Sequence, residues 1–285
     1  MNVIELNNVN YKYPLAKDRA LKKINAKFEE GKLYGIIGPN GGGKTTLCNL
    51  VRGLIPNFYL GKLEGEVFIN GKELLKIDFN ELSVKVGYIF QNPFTQISGV
   101  KETVFEEIAL GLENLGVPRE EMIERTIRII EQLGIENIIK NNPNALSGGQ
   151  RQRVAFASVI VMDPPIIVID EPTSQLDPHG TDLIFDIIHK LKQKGKTILL
   201  VEHKIELLAE YADEIIVMCA GEIIVKDSVH KVFSNRSLLD IGVNIPQISL
   251  LSQEILDDGI PITNFPITIS EAKDVFGRFL KRGQS

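Results

Sequence analysis

The run Leu33-Tyr34-Gly35-Ile36-Ile37-Gly38-Pro39-Asn40-Gly41-Gly42-Gly43-Lys44-Thr45-Thr46 constrains this chain more than any other segment. A short unbroken apolar stretch, as a strand buried on both faces requires, leads into a glycine cluster and then into a helical pattern that begins near Lys44. Gly38 to Thr45 fits the P-loop pattern, and its context, strand before and helix after, counts against an ordinary glycine-rich turn. The composition follows from the chemistry. A triphosphate needs many donors at short range, so backbone N–H groups must turn inward, and glycines permit those angles and leave no Cβ in the way. The helix N-terminus behind the loop favours negative charge. A lysine here reaches the β- and γ-phosphates, and a threonine hydroxyl can ligate Mg²⁺. Gly38, Pro39, Asn40, Gly41, Gly42, Gly43, Lys44, Thr45 and Thr46 are the expected nucleotide contacts, with Thr45 on the metal.

Elsewhere the apolar pattern alternates between two periods. Residues 3–9 and 21–37 read as strands, the second divided by a turn at Glu30-Gly31-Lys32, and 66–75 read as a hairpin arm turning at Asn70-Gly71. Between about 91 and 160 apolar residues recur at helical spacing, as in Val104, Ile108, Leu112 and Leu115, and again from Met122 to Leu133 between Pro118 and Gly134. After Pro164-Pro165 the strand pattern resumes at 166–169, 197–201 and 214–218, with helical segments between. Strands alternating with helices imply an α/β fold with a mainly parallel sheet covered on both faces. In the tail, Thr268 to Glu271 fits a capping box, followed by an apolar stripe of Ala272, Val275, Phe276, Phe279 and Leu280. Periodicity leaves open whether that helix packs on its own chain or on another subunit.

The 285 residues suffice for one large domain and a smaller appendage. A net charge of −5 gives no general attraction to nucleic acid, and none is expected as a partner. No apolar run approaches the length that crosses a bilayer, and the N-terminal stretch lacks the organisation of a signal peptide. Cys48 and Cys219 match no ligand spacing, so two buried thiols in a reducing cytoplasm are expected, although the place of Cys48 just beyond the phosphate loop suggests that alkylation would slow catalysis.

Two further patterns carry chemistry. Ile166 to Glu171 is an apolar strand ending in two carboxylates, and the C-terminal edge of a parallel sheet is where such residues face a ligand crevice. Taken alone they read equally well as solvated acids. Beside a P-loop, Asp170 is expected to hold Mg²⁺ and Glu171 to polarise the attacking water. Leu146-Ser147-Gly148-Gly149-Gln150 offers a serine hydroxyl and glycine amides at a helix start, again an anion site.

That last sequence matches the LSGGQ signature, and with it the chain resembles the ABC ATPases over residues 1–235. The resemblance implies a P-loop NTPase with a RecA-like core, an antiparallel β subdomain and an inserted helical subdomain at about 91–160, followed by a small C-terminal extension over 236–285. It also implies ATP held between two subunits, with Ser147, Gly148, Gly149 and Gln150 of one facing the phosphates on the other. By the same resemblance Tyr13 stacks on adenine, with Tyr11 as rival. Gln91 is the Q-loop glutamine and a metal ligand, and Ser174-Gln175-Leu176-Asp177 is the D-loop, with Asp177 at the nucleotide. His203 is the switch histidine. The catalytic set is Glu171, His203, Lys44 and Gln91; the metal set is Thr45, Gln91 and Asp170.

More narrowly, Phe90-Gln91-Asn92-Pro93, Thr103 to Asn114 and the tail from Val243 resemble the ATPase of energy-coupling-factor transporters, importers of vitamins and of cobalt or nickel ions. Two departures are Phe94-Thr95, where that group usually has Asp after the proline, and the phosphate loop's Gly-Gly-Gly-Lys-Thr, where Gly-Ser-Gly-Lys-Ser is commoner. Implied partners are a second ATPase subunit, identical or paralogous, a transmembrane coupling protein and a substrate-binding membrane protein, at the cytoplasmic face of the membrane. The C-terminal extension would help hold the dimer. Force would leave near Gln91 to Gly99, through a groove with Phe94 and Ile97 as candidate lining. An exporter's ATPase, a non-catalytic partner in a heterodimer and a soluble ABC ATPase are the rivals.

Overall fold

The computed structural model describes residues 1–174 and 176–282, and of 278–282 the backbone alone. Gln175 of the D-loop pattern and the stripe residues Phe279 and Leu280 therefore lie outside what is described. The strands are β1 (Asn2–Lys12), β2 (Leu21–Glu29), β3 (Leu33–Ile37), β4 (Lys62–Ile69), β5 (Lys72–Glu73), β6 (Val86–Ile89), β7 (Ile166–Asp170), β8 (Thr197–Val201), β9 (Glu214–Cys219) and β10 (Glu222–Ser228). They form two sheets. One is antiparallel, in the order β2-β1-β4-β5. The other runs β10-β9-β3-β8-β7-β6, parallel from β9 to β6, with β10 antiparallel at its edge.

Every residue of β3, β7 and β8 is buried, as their unbroken apolar runs require. Successive side chains enter opposite cores. Ile167 and Ile169 face the helices 148–160 and 178–193, whereas Ile166 and Val168 face the helix 44–51 and the antiparallel sheet. Each such side chain contributes about 1.5–3 kcal/mol of apolar burial, against the backbone and side-chain entropy lost on ordering it. The same alternation sends the side chain of Asp170, next in register after Ile169, toward the helix 44–51.

Where the structure departs from the pattern, the cause is local. The expected arm at 66–75 is β4 from Lys62, an Asn70-Gly71 turn with both φ positive (48° and 74°), and a two-residue β5. A 3₁₀ turn at Leu74–Lys76 then tucks Leu74 into the core and ends the strand. The strands β6 and β10 were not separable by pattern, being respectively four residues long and half-exposed throughout.

Between β6 and β7 the helices Val104–Asn114, Arg119–Leu133 and Gly148–Ile160 pack on one another. The first starts in a Thr103–Glu106 capping box, and the second stops at Gly134 (φ 59°). In the tail, Glu271 N–H donates to Thr268 Oγ1 at 3.2 Å and Ala272 is buried within the chain. His230 Nε2 meets Glu271 Oε1 at 3.0 Å, tying the last helix to the helix Val229–Phe233.

Candidate active site

Parallel strands present all their C-terminal ends at one edge, so four loops distant in sequence become neighbours. The glycine loop follows β3, Glu202-His203 follows β8, Asp170 ends β7 with Glu171 next, and Phe90-Gln91 follows β6.

The loop from Gly38 to Gly43 is shaped against β9. A Cβ on Gly38 (φ 143°) would lie 1.9 Å from the Met218 carbonyl oxygen, so no other residue fits. Lys44 is buried, and its Nζ donates to the Gly38 and Pro39 carbonyls at 2.8 and 3.1 Å, closing the loop on itself. Thr45 is exposed on the cleft side, whereas Thr46 is buried and its Oγ1 accepts from the Tyr13 hydroxyl at 3.3 Å. Tyr13 is thus at the loop with its ring half-exposed. Its rival Tyr11 is fully buried, its hydroxyl donating to the Tyr59 and Leu60 carbonyls at 3.0 Å each.

Asp170 is 3% exposed. Its Oδ2 accepts from the Tyr88 hydroxyl at 3.4 Å, while Oδ1, equally buried, has no hydrogen-bond partner among the described residues. Burial raises its pKa above the ordinary aspartate value, with Glu171 adding to the rise and the hydroxyls of Thr45 and Tyr88 and the Lys44 ammonium opposing it. An orphaned, buried carboxylate oxygen beside an exposed threonine hydroxyl is the oxygen-rich half-shell that suits Mg²⁺. Among the described residues no group of three or more His, Cys, Asp or Glu could hold a metal alone, so a cation here needs further oxygens, as phosphates would supply.

Glu171 has φ 46°, in the left-handed region, while its N–H still donates to the Val201 carbonyl at 2.9 Å. A non-glycine residue held there stores strain of order 1–2 kcal/mol, and it is this twist that turns the carboxylate out of the sheet. Its Oε2 accepts from Gln91 Nε2 at 2.6 Å and its Oε1 meets His203 Nε2 at 2.9 Å. An ionised carboxylate only accepts, so the contact places a proton on Nε2.

The signature residues lie apart. Ser147 caps the helix 148–160, its Oγ accepting from Gln150 N–H at 3.4 Å while Gln150 Oε1 accepts from Ser147 N–H at 3.1 Å. Among the described residues the serine's own O–H donates to no partner. Among the described residues a Cβ on Gly148 would meet nothing within 4 Å and one on Gly149 only Leu176 at 3.9 Å, so packing against them does not require either glycine. Ser147, Gly149, Gln150 and Arg153 share a cleft of about 340 Å³ with Asp177 and Gly180. Asp177 is engaged as a helix cap, accepting from Gly180 N–H at 2.7 Å.

Three features add to or depart from the sequence expectations. Glu202 is buried and tied to Thr173, His203 and Lys204; its sequence signal resembles that of Asp170, an acid at the end of a mainly apolar buried strand. Ile97 is in the core, so it lines no groove; Phe94 remains exposed on one side while the Arg151 guanidinium stacks 3.8 Å from its ring centroid. Of the two thiols expected to be buried, Cys48 is fully buried with its thiol pKa pushed well up by burial, which counts against the suggested sensitivity to alkylation, whereas Cys219 is only half-buried.

The sequence pattern of the ABC transporter family matches residues 21–174. The chain belongs to that family. It is an ABC ATPase, and its resemblance to the energy-coupling-factor group holds over the whole length. A Ligilactobacillus salivarius protein named energy-coupling factor transporter ATP-binding protein EcfA1 is 37% identical over 284 residues, 99% of this chain and 98% of its own. A Thermotoga maritima protein of the same name is 42% identical over 205 residues, 72% of this chain and 74% of its own. The solved structure of cbiO1 from Clostridium perfringens, described as part of the ABC transporter complex cbiONQ, matches with a TM-score of 0.73 at 28% identity, over 88% of this chain and 99% of that one. An ATP-binding cassette captured as a dimer in a post-hydrolysis state, bound to ADP and Pi, matches at 0.69 and 31% identity, over 79% of this chain and 98% of that one. The P-loop NTPase fold and the ATPase activity expected from the sequence are those of the family. Among the described residues no helix is long and apolar enough to cross a membrane.

Proposed function

We propose that this ATPase drives an energy-coupling-factor importer for a vitamin or a transition-metal ion. Residues 1–235, with the helical part at about 91–160, form the motor, and 236–285 help hold a dimer. It sits at the cytoplasmic face of the membrane, paired with an identical or paralogous ATPase and joined to a coupling protein and a substrate-binding membrane protein. The observation that carries the reading is the division of the site. The phosphate loop, Asp170, Glu171, Gln91 and His203 share one sheet edge, whereas Ser147 and the unhindered Gly149 line a separate cleft, with Gly148 between them in the same helix start. Two copies face to face would unite the halves.

Thr45, Asp170 and Gln91 would hold Mg²⁺, which when bound neutralises charge developing on the β- and γ-phosphates. The protein's own residues do the rest. Lys44 exchanges the Gly38 and Pro39 carbonyls for phosphate oxygens, and Tyr13 releases Thr46 to stack on adenine. Glu171, freed from Gln91, takes up the attacking water as its acceptor, and His203 turns its Nε2–H from Glu171 toward the γ-phosphate. Ser147, Gly148 and Gly149 of the partner donate to the same phosphate, and Asp177 lies beside them at the interface. Loss of the γ-phosphate removes contacts from both subunits, so the pair reopens. Phe94 is the exposed apolar contact offered to the membrane partner.

The test is Glu171→Gln in the purified complex. It should bind ATP with wild-type affinity, hydrolyse it at least about a hundredfold more slowly, and accumulate as a nucleotide-loaded dimer in size-exclusion chromatography with light scattering. Normal turnover would remove Glu171 from the chemistry, and a strictly monomeric loaded form in the presence of its companions would remove the shared site.

A further inference from the structure

The ladder between β7 and β8 ends at the Glu171 N–H to Val201 carbonyl bond, just before both chains turn away from the sheet. The Glu171 and His203 side chains meet beyond that last rung, where no backbone pairing fixes their separation. One side chain spans the gap. Glu202, 3% exposed, accepts from the Thr173 hydroxyl through Oε2 at 2.8 Å. Through Oε1 it accepts from the backbone N–H groups of His203 and Lys204 at 2.8 and 3.3 Å. Thr173 is itself 1% exposed and lies two residues beyond Glu171. The bonds therefore join the turn carrying the carboxylate to the turn carrying the imidazole.

A buried carboxylate is costly unless its lone pairs are met, and three donors meet this one. Two of them are backbone amides that can only donate, at the unpaired start of the helix Ile205–Tyr211, whose cap position, Lys204, offers no side-chain acceptor. A neutral apolar residue at 202 would leave the buried Thr173 hydroxyl without this partner and both amides without their side-chain acceptor.

We propose that Glu202 is a positioning residue for hydrolysis: it acts as a side-chain rung that sets the distance between Glu171 and His203. It touches neither nucleotide nor water, and its effect passes through the pair. The proposal rests on the roles given above to Glu171 and His203, and deepens them.

The test compares Glu202→Ala, Glu202→Gln and Thr173→Val, each in wild-type and His203→Ala backgrounds, by steady-state ATPase assay of the complex and by fluorescent-nucleotide binding. His203→Ala alone should lower kcat by roughly a hundred- to a thousandfold, the scale of one lost charge-stabilising donor. Glu202→Ala should lower kcat by about a hundredfold, as misplacement of a reacting group by an ångström does, with KM and nucleotide affinity within about twofold of wild type. Glu202→Gln keeps an acceptor for both amides and can donate to Thr173 Oγ1, and should recover kcat to within about fivefold. Thr173→Val, which retains the fold's shape, should cost about three- to tenfold. With His203 already absent there is no pair to hold, so each 202 or 173 change should cost no more than about threefold. Equal losses in both backgrounds, an undiminished kcat in Glu202→Ala, or no recovery with Gln would overturn the proposal. If Glu202→Ala does not fold, Thr173→Val and its double variant decide alone. A wild-type rate in His203→Ala would instead overturn the role of His203 itself, an outcome read directly from that single variant.

Discussion

Asp170 is poised against the stability of the protein that carries it, and Asp170→Asn should show this. Among the described residues one oxygen of the buried carboxylate has no hydrogen-bond partner and the other has a long bond from Tyr88. An unsatisfied buried acceptor costs on the order of 1–3 kcal/mol, more when charged. The amide removes the charge, keeps an acceptor for Tyr88 and turns the orphaned position into a donor near the Thr45 hydroxyl. A gain of about 1–2 kcal/mol is expected for the nucleotide-free protein near neutral pH, which is a rise of roughly 2–6 °C in the unfolding midpoint for a chain of this size. The pH dependence has a definite sign. Burial raises the folded-state pKa above the ordinary aspartate value, so the unfolded chain gives up this proton first. The folded state of the wild type loses ground as pH rises through the unfolded value of 3.8 toward the raised one. The advantage of Asn should therefore be smallest in acid, below the ordinary aspartate value, and full above the raised one. Thermal unfolding followed by circular dichroism from about pH 3 to 8, without nucleotide or divalent cation, measures it. Adding MgATP should stabilise the wild type more than the variant. A variant no more stable than wild type at pH 7, or an advantage that grows toward acid, would refute the reasoning.

Other substitutions test the loop and the thiols. Gly38→Ala places a Cβ 1.9 Å from the Met218 carbonyl and should destabilise by more than about 3 kcal/mol, whereas Gly41→Ala (φ 76°, open space) should cost only about 1–2 kcal/mol; chemical denaturation of the two side by side decides. Lys44→Ala should abolish tight MgATP binding in equilibrium dialysis, and retained affinity would contradict the loop's assignment. Cys48 should resist a thiol reagent until the protein unfolds, while half-exposed Cys219 reacts first, with or without ATP; peptide mapping of the labelled protein distinguishes them.

Much of the site was legible because its chemistry is local. The glycine loop, the paired acids after an apolar strand and the serine-glycine helix start each need particular residue types at consecutive positions, so each is written in a few adjacent letters. The strands β3, β7 and β8 were legible for the same reason, since burial on both faces leaves no alternative to an unbroken apolar run. Where selection by burial is weaker the pattern blurred, as in β10, half-exposed throughout, and in the two-residue β5. Phe94 and Ile97 look alike as apolar letters on one loop. The turn geometry places one over Arg151 and in solvent, and sends the other into the core.

The amino-acid sequence by itself determined the family, the alternation of strand and helix, and the candidate residues for gripping a phosphate. Those follow from backbone periodicity and from the donors and acceptors that each side chain carries. Only the tertiary structure decided that Tyr13 and not Tyr11 is open to a ligand, that Cys48 is sealed, that one oxygen of Asp170 stands without a partner, and that Glu202 bridges two turns. Those depend on which strand ends lie side by side and on what each buried polar atom meets, and such neighbours are set by packing between segments 29 to 82 residues apart as well as by adjacent letters.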